Sequence, residues 1–186
     1  MLYGILKNSM VNTGDDGELS CVFTAPLSIV SNQPAYAQDM MNLKRRANSQ
    51  RVQRWEVETK IASTNNSPNF LTHSVLNGHD KVFGIRMPQV AGIKLTTAAV
   101  TVTKAVGANA SVVKVSTALN EGEFIQFASH SKVYLVTGMS QCNCSISPSL
   151  VMAVAKDSKV TTNAVTLFVR YDIDTAIGIT YTDVLS

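Results

Sequence analysis

Two cysteines at close spacing, in Cys142-Asn143-Cys144, are the sharpest chemical signal in this chain of 186 residues. Thiolates so placed suggest zinc, but a zinc site takes four nitrogen or sulfur ligands and ordinarily draws them from two pairs. No second pair follows: the third cysteine is Cys21, and His130 is the one imidazole nearby. A disulfide between residues two apart would be strained. In a strand the two thiols share a face, so they read as small, partly buried side chains, with no metal and no cofactor expected.

Nucleophilic catalysis fares no better. His79-Asp80 could orient a base, and Cys21 or a serine could then attack, but no G-x-S-x-G elbow accompanies them. His79 follows Asn77-Gly78 and reads as a turn residue; His130, in Ser129-His130-Ser131, reads as a hairpin tip; His73 carries no pattern. Gly14-Asp15-Asp16-Gly17 sets two carboxylates between glycines, too few oxygens for calcium, and reads as a polar turn. Gly107 and Gly122 are isolated, so no loop cradles phosphate. With 13 acids and no pair to flank a cleft, a glycosidase has no candidates. The chain is read as a non-enzyme.

Charge gathers in one place. Lys44, Arg45, Arg46, Arg51 and Arg54 put five cations into eleven residues with no acid among them. A basic arm on phosphates is one reading, although no aromatic platform interleaves. A solvated loop is the second. The third is a loop that meets carboxylates of a neighbouring subunit, where arginine is favoured. These five residues are the candidate intersubunit contacts.

Period-two alternation runs through the elements that must hold these groups. Trp55, Val57, Thr59 and Ile61 share one face of residues 54–61, and Arg54, Glu56, Glu58 and Lys60 share the other, the pattern of a half-buried antiparallel strand. Further strands are expected over 18–23, 82–87, 99–104, 111–116, 123–127, 132–137, 164–171 and 177–183, with a turn at Gly107-Ala108-Asn109 and a hairpin around His130. Helical signals are confined to a short helix after Ser67-Pro68 and a single turn after Ser147-Pro148 holding Leu150 and Val151. The fold class is therefore all-β with one or two short helices. From Leu95 to about Val160 the composition turns to Val, Thr, Ala and Ser. That segment, 95–160, is expected as a small β-barrel inserted into a main β domain formed by 1–94 and 161–186.

Charged residues are only 16% of the chain, below the roughly 25% of ordinary soluble domains. Such surfaces favour contact with other protein surfaces. The net charge of +3 is too mild to imply nucleic acid by itself. Three cysteines do not make a disulfide framework and fit synthesis in a reducing cytoplasm. Residues 1–10 carry Lys7 and no signal-like apolar core, and no apolar run reaches the roughly 18 residues of a membrane span. Neither export by a signal nor a membrane anchor is expected.

An ordered series of short motifs resembles the distal-tail and baseplate-hub proteins of tailed bacteriophages. Ile29-Val30-Ser31-Asn32-Gln33-Pro34, then Leu43-Lys44-Arg45-Arg46, then Gln53-Arg54-Trp55-Glu56 look like that family's N-terminal strand, basic loop and second strand. Residues 121–127 and 130–136 resemble its inserted barrel, and Ser147-Pro148-Ser149-Leu150 its turn. The similarity covers about residues 19–160, and the order of the motifs carries it. It implies a virion protein made in the bacterial host: a ring, commonly a hexamer, at the end of the tail tube, with an OB-like barrel as insertion and no catalytic residues. Other tail-tube and baseplate proteins would be its partners, and DNA would be met only through a central channel. A tail-tube or head–tail connector subunit is the alternative within virion proteins; a small β-barrel nucleic-acid binder is the alternative outside them.

Overall fold

The structure is a computed structural model that describes residues 5–7, 19–20, 23–39, 45–49, 53–61, 82–86, 96–163 and 165–172. Its strands are β1 (Ile5–Lys7), β2 (Leu19–Ser20), β3 (Phe23–Asn32), β4 (Ala35–Asp39), β5 (Arg45–Ser49), β6 (Arg54–Ile61) and β7 (Phe83–Arg86). They continue with β8 (Val100–Thr101), β9 (Val112–Lys114), β10 (Phe124–Phe127), β11 (Val133–Ser140), β12 (Asn143–Ser147), β13 (Lys159–Thr161) and β14 (Thr166–Val169). Every pairing is antiparallel. The all-β expectation holds, and no helix occurs among the described residues. The chain forms two compact units, Phe23–Ala62 and the remainder, Met1–Val22 with Ser63–Ser186.

Within the larger unit, six strands pair in the order β8-β13-β10-β11-β12-β9. β10, β11 and β12 follow one another as hairpins, and β13 returns to lie beside β10, which is a Greek key. The two outer strands then meet. Val102 bridges Val115, the Thr103 amide donates to the Lys114 carbonyl at 2.9 Å, and the Ser116 amide donates to the Thr101 carbonyl at 2.8 Å. This closes the sheet into a barrel and leaves β8 and β9 no free edge at that point. The barrel has six strands, one more than an OB fold.

Alternation explains how short strands fill it. Val113, Ile125, Phe127, Tyr134, Val136, Cys144, Ile146 and Val160 point inward from their strands, and Leu150 and Val154 complete the same core. The opposite faces of β10 and β11 differ from a solvated sheet: Phe124 and Val133 are also buried. Gln126, on that outer face opposite Val133, donates to the Thr166 carbonyl of β14 at 3.3 Å. Covering on both sides is why Phe124–Phe127 and the start of β11 are nearly continuous apolar runs.

The helical turn expected after Ser147-Pro148 is not formed. Ser147 ends β12 opposite Leu135, and the backbone beyond it bonds to a distant segment. The Leu150 amide donates to the Ala110 carbonyl at 2.8 Å, the Asn109 amide to the Leu150 carbonyl at 2.7 Å, and Val154 and Val106 exchange both their bonds at 2.9 Å. These groups are engaged across the barrel end, so none remains for bonds within a turn. The other expected helix, after Ser67-Pro68, and the strand over 177–183 lie outside the described residues.

A four-stranded sheet, β14-β7-β1-β2, completes this unit. Phe83, Ile85 and Leu167 are buried there, and the Phe83 ring meets Tyr171 at 4.7 Å between centroids. The smaller unit consists of two ribbons, β3 with β6 and β4 with β5. Along β6 the expected alternation is present: Arg54, Glu56 and Glu58 are exposed while Trp55 and Val57 are half-buried.

Candidate functional site

Two polar clusters occupy the barrel, one buried about Glu123 and one half-buried about His130. At its base the Glu123 carboxylate has no exposed surface. A buried carboxylate is tolerated only when its lone pairs are used. Here the Thr96 amide and the Asn120 side chain donate to Oε1, and the Thr96 hydroxyl and Asn120 amide donate to Oε2, the last two at 3.1 Å. Thr162 in turn donates to the Thr96 carbonyl at 2.8 Å. Thr96 leads into the barrel strands and Thr162 follows them, so Glu123 ties together both ends of the barrel's chain. All its partners are donors, which makes the cluster a tether and leaves no cage for a cation.

At the hairpin tip, Ser129 Oγ lies 2.9 Å from His130 Nδ1, and His130 Nε2 lies 2.7 Å from the Tyr134 hydroxyl. The Val151 amide donates to that same hydroxyl at 3.1 Å. Because Tyr134 has no exposed surface, its own proton needs an acceptor inside the protein, and Nε2 is the one within reach. The tautomer follows from this network: Nδ1 carries the ring proton and donates to Ser129. The serine hydroxyl therefore accepts from the imidazole and is not activated by it, so this adjacent Ser–His pair is wired against nucleophilic attack. Burial alone pushes the His130 pKa down, while burial raises that of Tyr134 against the opposing effect of the Val151 hydrogen bond.

The cysteines resolve differently from a matched pair. Cys144 points into the barrel core, and burial together with the negative Glu123 raises its thiol pKa to about 11. Cys142 sits in the turn before β12, half-buried, and both thiols are free. Among the described residues no three of His, Cys, Asp and Glu converge as metal ligands. Cys21, His73, His79 and the Gly14–Gly17 turn lie outside the described residues.

The basic cluster is not one loop. Arg45 and Arg46 belong to β5, in register with Asp39 and Gln38 of β4, because that stretch pairs as a hairpin. Arg54 opens β6, exposed, and its guanidinium grips Glu56 Oε1 at 2.7 Å from Nη2 and 2.8 Å from Nε. Asn32 donates to the same oxygen at 2.7 Å. The hydrogen bonds from Asn32 and then Arg54 hold the Glu56 carboxyl below its usual range. Lys44 and Arg51 lie outside the described residues.

The chemistry visible in these clusters is the fixing of backbone and loops. No protein-family model matches the chain, and no curated protein matches it.

Proposed function

We propose that the chain is a structural subunit whose fold is completed by other polypeptides, and that it forms a ring at the end of a bacteriophage tail, joining the tail tube to the baseplate or tip. The observation that carries this reading is the β3–β6 ribbon. Among the described residues these strands pair only with each other, and among the side chains described over 28–35 and 53–58 only Gln53 is buried. A two-stranded ribbon is marginally stable alone in water, and the edges of such a ribbon are where a further strand adds. Head-to-tail contacts between copies would use those edges and close a ring. The order of the sequence motifs supports a distal-tail or baseplate-hub subunit, hexameric, acting in the virion by binding and force transmission. The Arg54–Glu56 pair argues against a phosphate-binding arm, since that guanidinium is already committed.

Native mass spectrometry and negative-stain electron microscopy test the reading. A closed ring is expected for the protein at high concentration or mixed with tail-tube and baseplate proteins. Val30, half exposed at 50% and opposite Glu56, offers a probe: Val30→Lys places an opposite charge across from Glu56, which the ribbon tolerates, while removing apolar contact, and is expected to weaken assembly. A chain that stays monomeric under all these conditions overturns the proposal. Salt-dependent affinity for DNA would favour a nucleic-acid binder instead.

A further inference from the structure

The His130 cluster joins a titratable ring to a segment that presents apolar side chains. Between Ser147 and Val154 the chain crosses the barrel end, anchored by buried Leu150, while Val151 and Met152 stand 60% and 53% exposed. The Val151 amide is held by the Tyr134 hydroxyl, and that hydroxyl is held by His130 Nε2. We propose that His130 is a proton-operated latch on the Pro148–Ala153 segment: neutral, it keeps Tyr134 in place to hold Val151; protonated, it releases that segment while the barrel stays folded.

The reasoning is one of donors and acceptors. In the neutral state each polar group of the chain has a partner: Val151 N–H to Tyr134 Oη, Tyr134 O–H to Nε2, Nδ1–H to Ser129 Oγ. An imidazolium has two N–H donors and no acceptor. Proton gain at Nε2 therefore turns the 2.7 Å contact into one between two donors unless the tyrosine proton swings away. Swung away, that proton is buried without an acceptor, at the cost of a lost hydrogen bond. The Val151 amide shares the same oxygen and is the next group to be disturbed.

The groups packed around the ring leave little to offset this. Phe127 of β10 lies 6.0 Å away and Tyr134 of β11 lies 5.6 Å away, ring to ring. Tyr134 is the titratable group in contact. Lys132, two residues on and half-buried with its pKa lowered by burial, is the nearest charge in sequence. β10 from Phe124 to Ala128 and the segment 148–153 contain no ionisable side chain. Burial, with no acidic partner among the described residues, makes the neutral ring the resting form and sets the switch below the ordinary histidine pKa of 6.5.

Amide hydrogen exchange on the full chain, read by mass spectrometry at about pH 7.5 and about pH 5.0 and corrected for intrinsic rates, tests this within the histidine titration range. Peptides spanning 148–153 are expected to exchange about five- to tenfold faster at the lower pH, the equivalent of losing one ordinary hydrogen bond, while peptides of β10 and β11 stay protected. His130→Gln, which keeps an acceptor and cannot be protonated, is expected to abolish the pH response. Tyr134→Phe is expected to leave the segment fast at both pH values. Equal exchange at the two pH values, a response that persists in His130→Gln, or loss of protection through the whole barrel at once would each overturn the latch.

Discussion

Thr96 and Glu123, 27 positions apart, are joined twice, by the threonine amide and by its hydroxyl, and the carboxylate that receives both is wholly buried. Asn120 uses the rest of the carboxylate, and Thr162 is added through the Thr96 carbonyl. Glu123→Leu would leave the two buried donors of Thr96 without this acceptor, at about 1–3 kcal/mol each. Chemical denaturation is expected to show a loss of at least about 2 kcal/mol on that basis. Thr162→Val removes the outer link to the Thr96 carbonyl and leaves the carboxylate's own donors in place, so its loss should be smaller, about 1 kcal/mol. Equal effects of the two changes would contradict the tether.

The two barrel cysteines should separate in reactivity. With its thiol pKa raised to about 11, Cys144 carries almost no thiolate near neutrality, and it is buried as well. Cys142 is half-buried in a turn. Under mild alkylation and peptide mapping, Cys142 is expected to react in the folded protein. Labelling of Cys144 should track unfolding of the barrel.

Turn residues give a third check. Gln141 and Asn109 adopt φ of 53° and 66°, in the left-handed region, and Gly122 has φ of 85°. A side chain costs about 1–2 kcal/mol in that region. Gly122→Ala is thus expected to lower stability by about that amount. Gln141→Gly relieves the same strain but adds freedom to the unfolded chain, so its expected effect is a gain of under about 1 kcal/mol in thermal unfolding.

Stability should also depend on pH through His130. Burial lowers its folded pKa below the ordinary 6.5, so the unfolded chain takes up the proton first. Stability contributed by the neutral ring is complete above pH 6.5 and declines as pH falls below it, levelling once the folded protein is protonated as well. Relative to His130→Gln, the wild-type denaturant midpoint should therefore fall on acidification. A constant difference would show that the ring titrates alike in both states.

For the ribbon unit, replacing Arg45 and Arg46 by Ser should weaken assembly in light scattering if the strand carrying them lies at a contact between copies. Unchanged assembly would assign the two arginines to solvent.

Alternation was legible wherever one face meets water and the other does not. Residues 54–61 were readable to their ends as β6, because charged and apolar side chains strictly alternate there. The hairpin about His130 was equally readable from two apolar runs flanking small polar residues. Glu123 was not, although an acid between Gly122 and an apolar run is the mark it left. Its partners lie at Thr96 and Asn120, and nothing in the spacing of those residues announces that they converge. The turn expected after Ser147-Pro148 failed for a related reason. Local capping residues suggested it, while its backbone found partners across the barrel end.

By itself the sequence determined the β character of the chain, the positions of several strands such as β6, β10 and β11, and its low charge, since these follow from side-chain period and composition, which act between near neighbours. Only the tertiary structure decided which strands adjoin, that β8 and β9 meet to close the barrel, and which polar side chains become buried partners. Those outcomes depend on contacts between residues far apart in the chain, where hydrogen-bond geometry and the exclusion of water select one pairing among many that the local pattern permits.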